Sequence, residues 1–245
     1  MSDYSFWLYW LILSGAILGR YFLIAGGAHL VFYAWLGKSA VMRGKPSEQK
    51  LLWRSIHRDV KLSIISAVIF ALCAALIWSA HDLGLTRLYS DFQEHGLWYL
   101  GFSFVAVLIL QDTYFYFTHR LFHHPALFKR MHQGHHRSTH PTPWTSFAFD
   151  PPEALSQAFF LVVIVLVMPL HFATLAAVLT TMTLWSALNH LGFERSSSSA
   201  IGAWLGRALI GPKHHLIHHR QYKVHYGLYF TFWDKLLGTQ DPSCK

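Results

Sequence analysis

Apolar runs long enough to cross a bilayer constrain this chain more than any other feature of its sequence. Residues 62–80 and 97–118 are each apolar over the ~20 helical residues that the hydrocarbon core requires. Residues 6–36 are too long for one straight span and too short for two, so one span with an interfacial extension is expected there. A further region, 154–188, is divided by Pro169 into two segments that are short for full spans, so a tight helical hairpin is expected there. The sequence therefore predicts an all-α, multi-span helical membrane protein with about four spans, including the short hairpin.

Composition agrees with a membrane protein and disfavours other classes. Hydrophobic residues form 53% of the 245 residues and charged residues only 13%, whereas soluble domains carry roughly 25% charged residues. The formal net charge of +8 comes from basic residues gathered between the apolar runs, as membrane topology requires, so nucleic-acid binding is not expected. The two cysteines, Cys73 and Cys244, are too few and too far apart for a disulfide framework or a thiolate metal site. Length predicts one domain, residues 1–245.

The charges of the connecting segments predict the orientation in the membrane. Residues 37–61 carry seven Lys and Arg against two acidic residues, whereas residues 81–96 carry three acidic residues and Arg87 as their one fixed positive charge. Because cytoplasmic loops are enriched in Lys and Arg, residues 37–61 are expected inside, and 81–96 and the N-terminus outside. All histidine-rich segments then form a helical cap on the cytoplasmic face.

Histidines recur at helical spacing after the third apolar run. His119 and His123 lie one turn apart, and the pattern H-x-x-H-H occurs at 132–136 and again at 215–219. Residues three or four apart share a helix face, and neutral imidazole is a ligand for iron, copper, nickel and zinc. One such ion rarely takes more than six ligands, so these eight histidines predict a centre of two ions. Four isolated histidines are expected to be ordinary polar residues: His29, His57, His81 and His171.

Asp112 lies seven residues before His119, two turns back on the same helical face. An acidic residue at the end of a span is unfavourable unless it has a function. We expect its carboxylate to accept a hydrogen bond that orients a ligand imidazole. The alternative is a carboxylate that only snorkels to the membrane surface or faces a cavity.

Further motifs in a fixed order carry a resemblance to a known family. They are H-R-x-x-H at 119–123, H-x-x-H-H at 132–136, D-P-P-E at 150–153, N-H-L-G-F at 189–193, H-H-x-x-H-H at 214–219 and H-Y-G-L-Y-F-T-F-W-D-K-L-L-G-T at 225–239. Together, over residues 111–239, they resemble the fatty acid hydroxylase/sterol desaturase superfamily of integral-membrane di-iron enzymes. The segment G-R-Y-F-L-I-A-G-G at 19–27 is similar to the sterol C5-desaturase branch.

The resemblance implies a ligand set for two iron ions. The implied ligands are His119, His123, His132, His135, His136, His190, His215, His218 and His219. The side chains expected to support them are Asp112, Glu153, Asn189 and His214, and whether His214 or His124 is itself a ligand stays open. The chain departs from the family pattern at Ser186, where 2-hydroxylase-like members carry a histidine, and at His225, where asparagine is usual.

The resemblance also implies a function, an O2-dependent lipid C–H oxidase that hydroxylates or desaturates a sterol-like or acyl-lipid substrate at the membrane face. The chain shows no G-x-G-x-x-G fingerprint and no cysteine set for an iron–sulfur cluster. Electrons are therefore expected from a separate cytochrome, ferredoxin or reductase. The setting expected is a bacterial inner membrane, or the endoplasmic reticulum membrane in a eukaryote.

Two other functions remain open at this point. The first is a two-zinc membrane hydrolase of lipid esters, which would need no reductant and for which some carboxylate ligands are expected. The second is a metal transporter or sensor, for which polar ligands are expected at the midplane of the spans.

Overall fold

A computed structural model describes residues 5–35, 46–192 and 205–244. In chain order its α-helices are α1 (Phe6–His29), α2 (Pro46–Asp82), α3 (Leu97–Phe122), α4 (Pro125–Met131), α5 (Gln133–His136), α6 (Pro151–Val167), α7 (Phe172–Asn189), α8 (Pro212–Gln221) and α9 (Phe232–Leu236). A π-helical segment, Leu30–Trp35, continues α1, and 3-10 helices form at Pro143–Phe147 and Pro242–Cys244.

Four helices of the described part, α1, α2, α3 and α7, are long and apolar enough to cross a membrane. The shorter apolar helix α6 precedes α7, and Pro169 lies in the turn between them. The prediction of a helical membrane protein with about four spans and a short hairpin is confirmed. An all-α description omits one detail, a two-residue parallel ladder between β1 (Leu88–Tyr89) and β2 (Leu170–His171).

The prediction of a loop over residues 37–61 is wrong for its second half. Residues 46–61 are the first turns of α2, while residues 36–45 lie outside the described part of the chain. A 37-residue helix is roughly 55 Å long, so α2 extends well beyond the ~30 Å hydrocarbon core. The charged stretch is helical because it is amphipathic, with Leu52, Ile56 and Asp59 buried on one face.

The extension of α2 holds the Pro-rich connector between α5 and α6, residues 137–150. The carboxylate of Asp59 accepts hydrogen bonds of 2.7 Å from the hydroxyls of Ser138 and Thr145. From α1, the Tyr21 hydroxyl donates to the carbonyl of Trp144 over 2.8 Å. The connector contains the short 3-10 helix Pro143–Phe147 and no long helix. Helix α6 begins at Pro151, a position where the missing N–H of proline would have had no partner within the helix.

The two ends of the helical bundle differ in chemistry. At one end, the Tyr9 hydroxyl donates to Asp82 over 2.7 Å, and the β1–β2 ladder joins the segment after α2 to the hairpin turn. At the other end lie the last turns of α3 and α7, the first turn of α6, and the helices α4, α5 and α8. Every histidine-rich motif therefore gathers at a single end of the bundle.

Cysteine labelling tests which end faces the cytoplasm. Asp91 and Lys223 are exposed at opposite ends of the bundle, so each accepts a cysteine without loss of packing. In a background of Cys73→Ala and Cys244→Ser, we expect Asp91→Cys to react with an impermeant maleimide in intact cells, because acidic loops face outward. We expect Lys223→Cys to react only after permeabilisation. The opposite labelling pattern would refute the orientation inferred from charge.

Candidate metal centre

The histidine motifs fold into two adjacent groups in the described part of the chain. The first group is His119, His123, His132, His136 and His218, and the second is His135, His190, His215 and His219. Within each group the ligand nitrogens all lie within 4.8 Å of one another. The nine side chains are the same nine that the resemblance implies as iron ligands.

Helix periodicity and packing together determine which group each histidine joins. His132 and His136 are four residues apart and enter the first group, whereas His135 between them points to the second. In α8 the distribution is the opposite: the outer two histidines of the motif, His215 and His219, belong to the second group, and His218 belongs to the first. Each H-x-x-H-H motif thus contributes to both groups, and the two groups are neighbours: the rings of His136 and His219 are 4.6 Å apart.

The nitrogen-to-nitrogen distances match those of ligands around a metal ion. The Nε2 atoms of His119 and His132 are 3.0 Å apart, those of His136 and His218 3.1 Å, and those of His190 and His215 2.9 Å. Two nitrogens bound at right angles to one ion, each ~2.1 Å from it, lie about 3.0 Å apart. The groups therefore have the dimensions of a first-row metal site.

The outer ring nitrogens explain why these contacts are not simple hydrogen bonds. Nδ1 of His119 donates to the carbonyl of Tyr226 over 3.0 Å, and Nδ1 of His132 lies 2.7 Å from Oε2 of Glu153. A carbonyl oxygen can only accept, so Nδ1 of His119 carries the proton and its Nε2 presents a lone pair; the same holds for His132 when Glu153 is ionised. Two lone pairs that face each other over 3.0 Å repel, and a cation between them would remove this repulsion.

The second group has the same arrangement. Nδ1 of His190 donates to the carbonyl of Ser186 over 2.7 Å, and Nδ1 of His135 donates to that of Ala148 over 3.2 Å, while their Nε2 atoms are 3.4 Å apart. In the first group, Nδ1 of His218 donates to the carbonyl of Val224. Nε2 of His123 is buried and has no hydrogen-bond partner among the described residues, so it too is available as a ligand atom.

Burial keeps these imidazoles neutral, which metal binding requires. Burial lowers the pKa of His135 to about 4. Burial, followed by the neighbouring imidazoles, lowers the pKa of His132, His136, His215, His218 and His219 well below the ordinary value. The groups thus offer lone pairs rather than positive charges at neutral pH.

Glu153 is the supporting carboxylate that contacts a ring of the centre. It is buried in the first turn of α6, which begins with the D-P-P-E motif. Asp150 of the same motif accepts a hydrogen bond of 2.6 Å from the backbone of Gly134. A Cβ at position 134 would collide with that carboxylate, which explains the glycine in H-Q-G-H-H. The motif therefore anchors α5 and the His132 ring together.

Asp112 has a different role from the one expected. Its Oδ1 accepts hydrogen bonds from the backbone amides of Leu228, Tyr229 and Phe230, at 3.1, 2.7 and 3.1 Å. The segment before α9 packs against this face of α3, so its backbone amides rather than a ring contact the carboxylate. Asp112 thus fixes the segment that includes Tyr226 rather than a histidine ring directly.

The other expected supporting side chains lie at the edge of the centre. Asn189 donates weakly to the carbonyl of Leu228 over 3.4 Å. His214 is buried but belongs to neither group; its Nδ1 accepts from the backbone of Gly211. His124 is exposed and caps α4, with Nδ1 accepting from Ala126 over 3.4 Å.

The two departures from the family pattern have structural explanations. Ser186 lies one turn before His190 and supplies the carbonyl that orients its ring, while its hydroxyl donates to Ser146. His225 is buried with φ of 58°, in the left-handed region where asparagine and histidine are both enriched among non-glycine residues. The backbone at position 225 therefore accommodates either residue.

The four isolated histidines lie outside both groups. His81 and His171 belong to the opposite end of the bundle, where Nδ1 of His171 accepts from the Ala173 amide at the start of α7. His57 contacts the Trp53 carbonyl one turn back in α2, and the ring of His29 packs near that of Trp144.

An apolar cavity of about 360 Å³ ends at the centre. Its walls come from α1, α2, α6 and α7, with Phe115 of α3 and the connector residue Phe147 near the histidines. The cavity is lined by rings from both groups: His119, His132, His135, His190 and His215. A hydrocarbon chain or ring system held between the spans can therefore reach both groups.

The contact between Glu153 and His132 predicts an effect on metal affinity. We expect Glu153→Ala to weaken metal binding about 10- to 100-fold, because the ring loses the partner that fixes its tautomer and orientation. Glu153→Gln retains an oxygen acceptor and should weaken it less. Chelator competition titrations measure the affinities, with the exposed Leu155→Ala as the matched control on the same helix. Unchanged affinity in Glu153→Ala would contradict this role.

His190 provides the test of the ligand set. It is isolated in sequence yet shares its group with three other rings, so His190→Ala should remove or disorder one ion and reduce metal content by about half or more. His140→Ala, at an exposed histidine outside both groups, should retain full metal. Elemental analysis of both purified variants decides; full metal content in His190→Ala would exclude it as a ligand.

Comparisons with known proteins agree with this arrangement. Relatives include a Δ7-sterol 5(6)-desaturase of Gibberella zeae, 29% identical over 190 residues that cover 78% of this chain and 57% of that protein. Lathosterol oxidase of Homo sapiens is 27% identical over 229 residues, 92% of this chain and 73% of that protein. A Δ7-sterol 5(6)-desaturase of Saccharomyces cerevisiae is 27% identical over 193 residues, 78% of this chain and 50% of that protein.

The chain therefore spans between half and three quarters of the length of these relatives. No solved structure matches it. Residues 104–239, more than half of the chain and including all nine clustered histidines, match the model of the fatty acid hydroxylase family. The chain belongs to the fatty acid hydroxylase family.

Proposed function

We propose that this protein is an O2-dependent oxidase of lipid C–H bonds, with two iron ions held by the nine clustered imidazoles. The observation that carries this proposal is the apolar cavity among the spans, which ends at rings of both histidine groups. Two irons bound there would supply, with O2 and electrons from a donor, an oxidant for unactivated C–H bonds that no side chain can provide.

The residues of the chain position the substrate and exclude water. Aliphatic and aromatic side chains of α1, α2 and α7 line most of the cavity. Binding of a sterol-like ring system or an acyl chain there is favourable because it removes apolar surface from water. Phe115, Phe147 and Phe149 lie on the cavity wall together with the histidines. They keep the reacting carbon in an apolar environment next to the metal centre.

Both hydroxylation and desaturation fit this arrangement, since each begins with removal of a hydrogen from the substrate. The names of the relatives, Δ7-sterol 5(6)-desaturase and lathosterol oxidase, support a sterol-like substrate. The family name supports an acyl lipid equally. The proposal therefore covers both substrate classes.

Electrons would come from a separate protein that docks at the cytoplasmic face. The cap carries exposed basic residues around the centre, namely Lys129, Arg130, Arg137, Arg220 and Lys223. An acidic cytochrome or ferredoxin would be steered to such a surface by complementary charge. This arrangement supports placing the cap in the cytoplasm, as the charge of the connecting segments does.

The alternatives are less compatible with the donor set. A two-zinc hydrolase is expected to have carboxylate ligands, but both candidate groups in the described residues contain histidine alone. A transporter is expected to have ligands near the middle of its spans, whereas these groups lie at one end of the bundle.

Iron content and O2 consumption, measured on one preparation, test the proposal. We expect the purified, reconstituted protein to contain about two irons per chain and to consume O2 when given a chemical or protein reductant together with lathosterol or oleate. Mass spectrometry should find a product two hydrogens lighter or one oxygen heavier. Zinc in place of iron, with ester hydrolysis that proceeds without O2, would replace this proposal with the hydrolase.

A further inference from the structure

Arg20 is the one Lys, Arg, Asp or Glu in the 24 residues of α1. It follows Leu13, Ala16 and Ile17 at helical spacing, and all four side chains line the same cavity. The facing walls come from α2, through residues such as Phe70 and Cys73, and from α7. A permanently charged group therefore lies in the apolar cavity that ends at the candidate metal centre.

The guanidinium of Arg20 lacks a counter-charge in the described part of the chain. Residues 5–35, 46–192 and 205–244 supply it with no hydrogen bond or ion pair, and its Nε is buried and unpartnered. The one acidic residue among the cavity-lining residues, Glu153, has its Oε2 against Nδ1 of His132. A charged residue inside a membrane protein without a partner indicates a functional site.

We propose that Arg20 binds an anionic oxygen group of the substrate, so that an acidic amphiphile is preferred over the neutral lipid with the same skeleton. Guanidinium stays protonated and presents a planar fork of donors that matches a carboxylate with two parallel hydrogen bonds. The apolar walls fit the hydrocarbon part of the same molecule. This inference rests on the proposed function insofar as the cavity is the substrate site.

Such binding also determines where the substrate is oxidised. An anionic group fixed at Arg20 holds the hydrocarbon at a constant distance from the histidine end of the cavity. The carbon that reacts is then selected by its distance from the anionic group. A neutral lipid with the same skeleton would leave the guanidinium desolvated and unpaired, which disfavours its binding.

The test is a binding measurement without O2 or reductant, on the iron-loaded full chain in detergent at alkaline pH. Two matched probe sets are used, oleic acid with methyl oleate, and cholesteryl hemisuccinate with its methyl ester. Trp78 lines the cavity, so a change in tryptophan fluorescence, checked against Trp78→Phe, reports occupancy. We expect at least one acid to bind about tenfold or more tightly than its ester, a ratio typical of a charge-assisted pair.

Variants of Arg20 identify the group responsible. Arg20→Met should remove the preference for the acid, because the affinity for the acid falls while the affinity for the ester is unchanged. Arg20→Lys should retain part of the preference, because an ammonium keeps the charge but lacks the planar fork of donors. Leu23→Met, at a lipid-exposed position of the same helix, is the matched control. Iron content, measured on each sample, verifies that the variants are folded.

Two outcomes would overturn the inference: equal binding of acid and ester by the wild-type protein, or an acid preference that persists in Arg20→Met. The first requires no variant, so it remains decisive even if Arg20→Met fails to fold. Loss of iron-dependent O2 consumption alongside a preserved, Arg20-dependent acid preference would reject the proposed oxidase while retaining this binding site.

Discussion

The close approach of neutral imidazole lone pairs is the constraint on which the whole cap depends. Eight Nε2 atoms come within 2.9–3.4 Å of another Nε2. In the pairs whose Nδ1 atoms donate outward, both facing nitrogens carry lone pairs that repel each other without a cation. Because the rings are buried, protonation is an unfavourable way to relieve this repulsion. A metal ion in each group would remove this repulsion, so metal binding would stabilise the folded cap, as in other proteins with buried metal sites.

The outward hydrogen bonds explain why so much of the chain is needed to hold nine rings. Carbonyls from the connector and from the segment after α8 orient His135, His119 and His218. That segment is itself held by buried carboxylates, since Asp234 accepts from the amides of Tyr226 and Gly227. A Cβ at Gly227 would lie 2.5 Å from the Phe230 carbonyl, so this turn requires glycine.

The membrane and the metal centre place opposite demands on the same helices. The spans need apolar surfaces toward lipid, and their inner faces enclose the cavity; their ends must present polar groups to the centre. Helix α3 meets both demands by ending in Gln111, Asp112 and His119 after an apolar run. Arg20 is the exception, a charge placed along the cavity rather than at an end.

Spacing along the sequence determined a large part of this structure. Runs of apolar residues have to be helical in a membrane because lipid offers no hydrogen-bond partners, so the spans and the hairpin at Pro169 were predictable. Histidines three and four apart share a helix face, so the residues that gather at the centre were predictable as well. His190 required the resemblance to a family, because a single histidine carries no spacing signal.

Only the tertiary structure decided which side chains meet across the chain. Asp112 shares a helical face with His119, yet its carboxylate accepts hydrogen bonds from backbone amides 116–118 residues later. The segment before α9, and not a histidine ring, contacts this carboxylate. The charged residues 46–61 continue α2 because they pack on the connector, a contact made between Asp59 and Ser138, 79 residues apart. The assignment of His135 and His136 to different groups also depended on packing. Local periodicity determines the direction of a side chain from its own helix, whereas its partner is determined by elements that are distant in sequence.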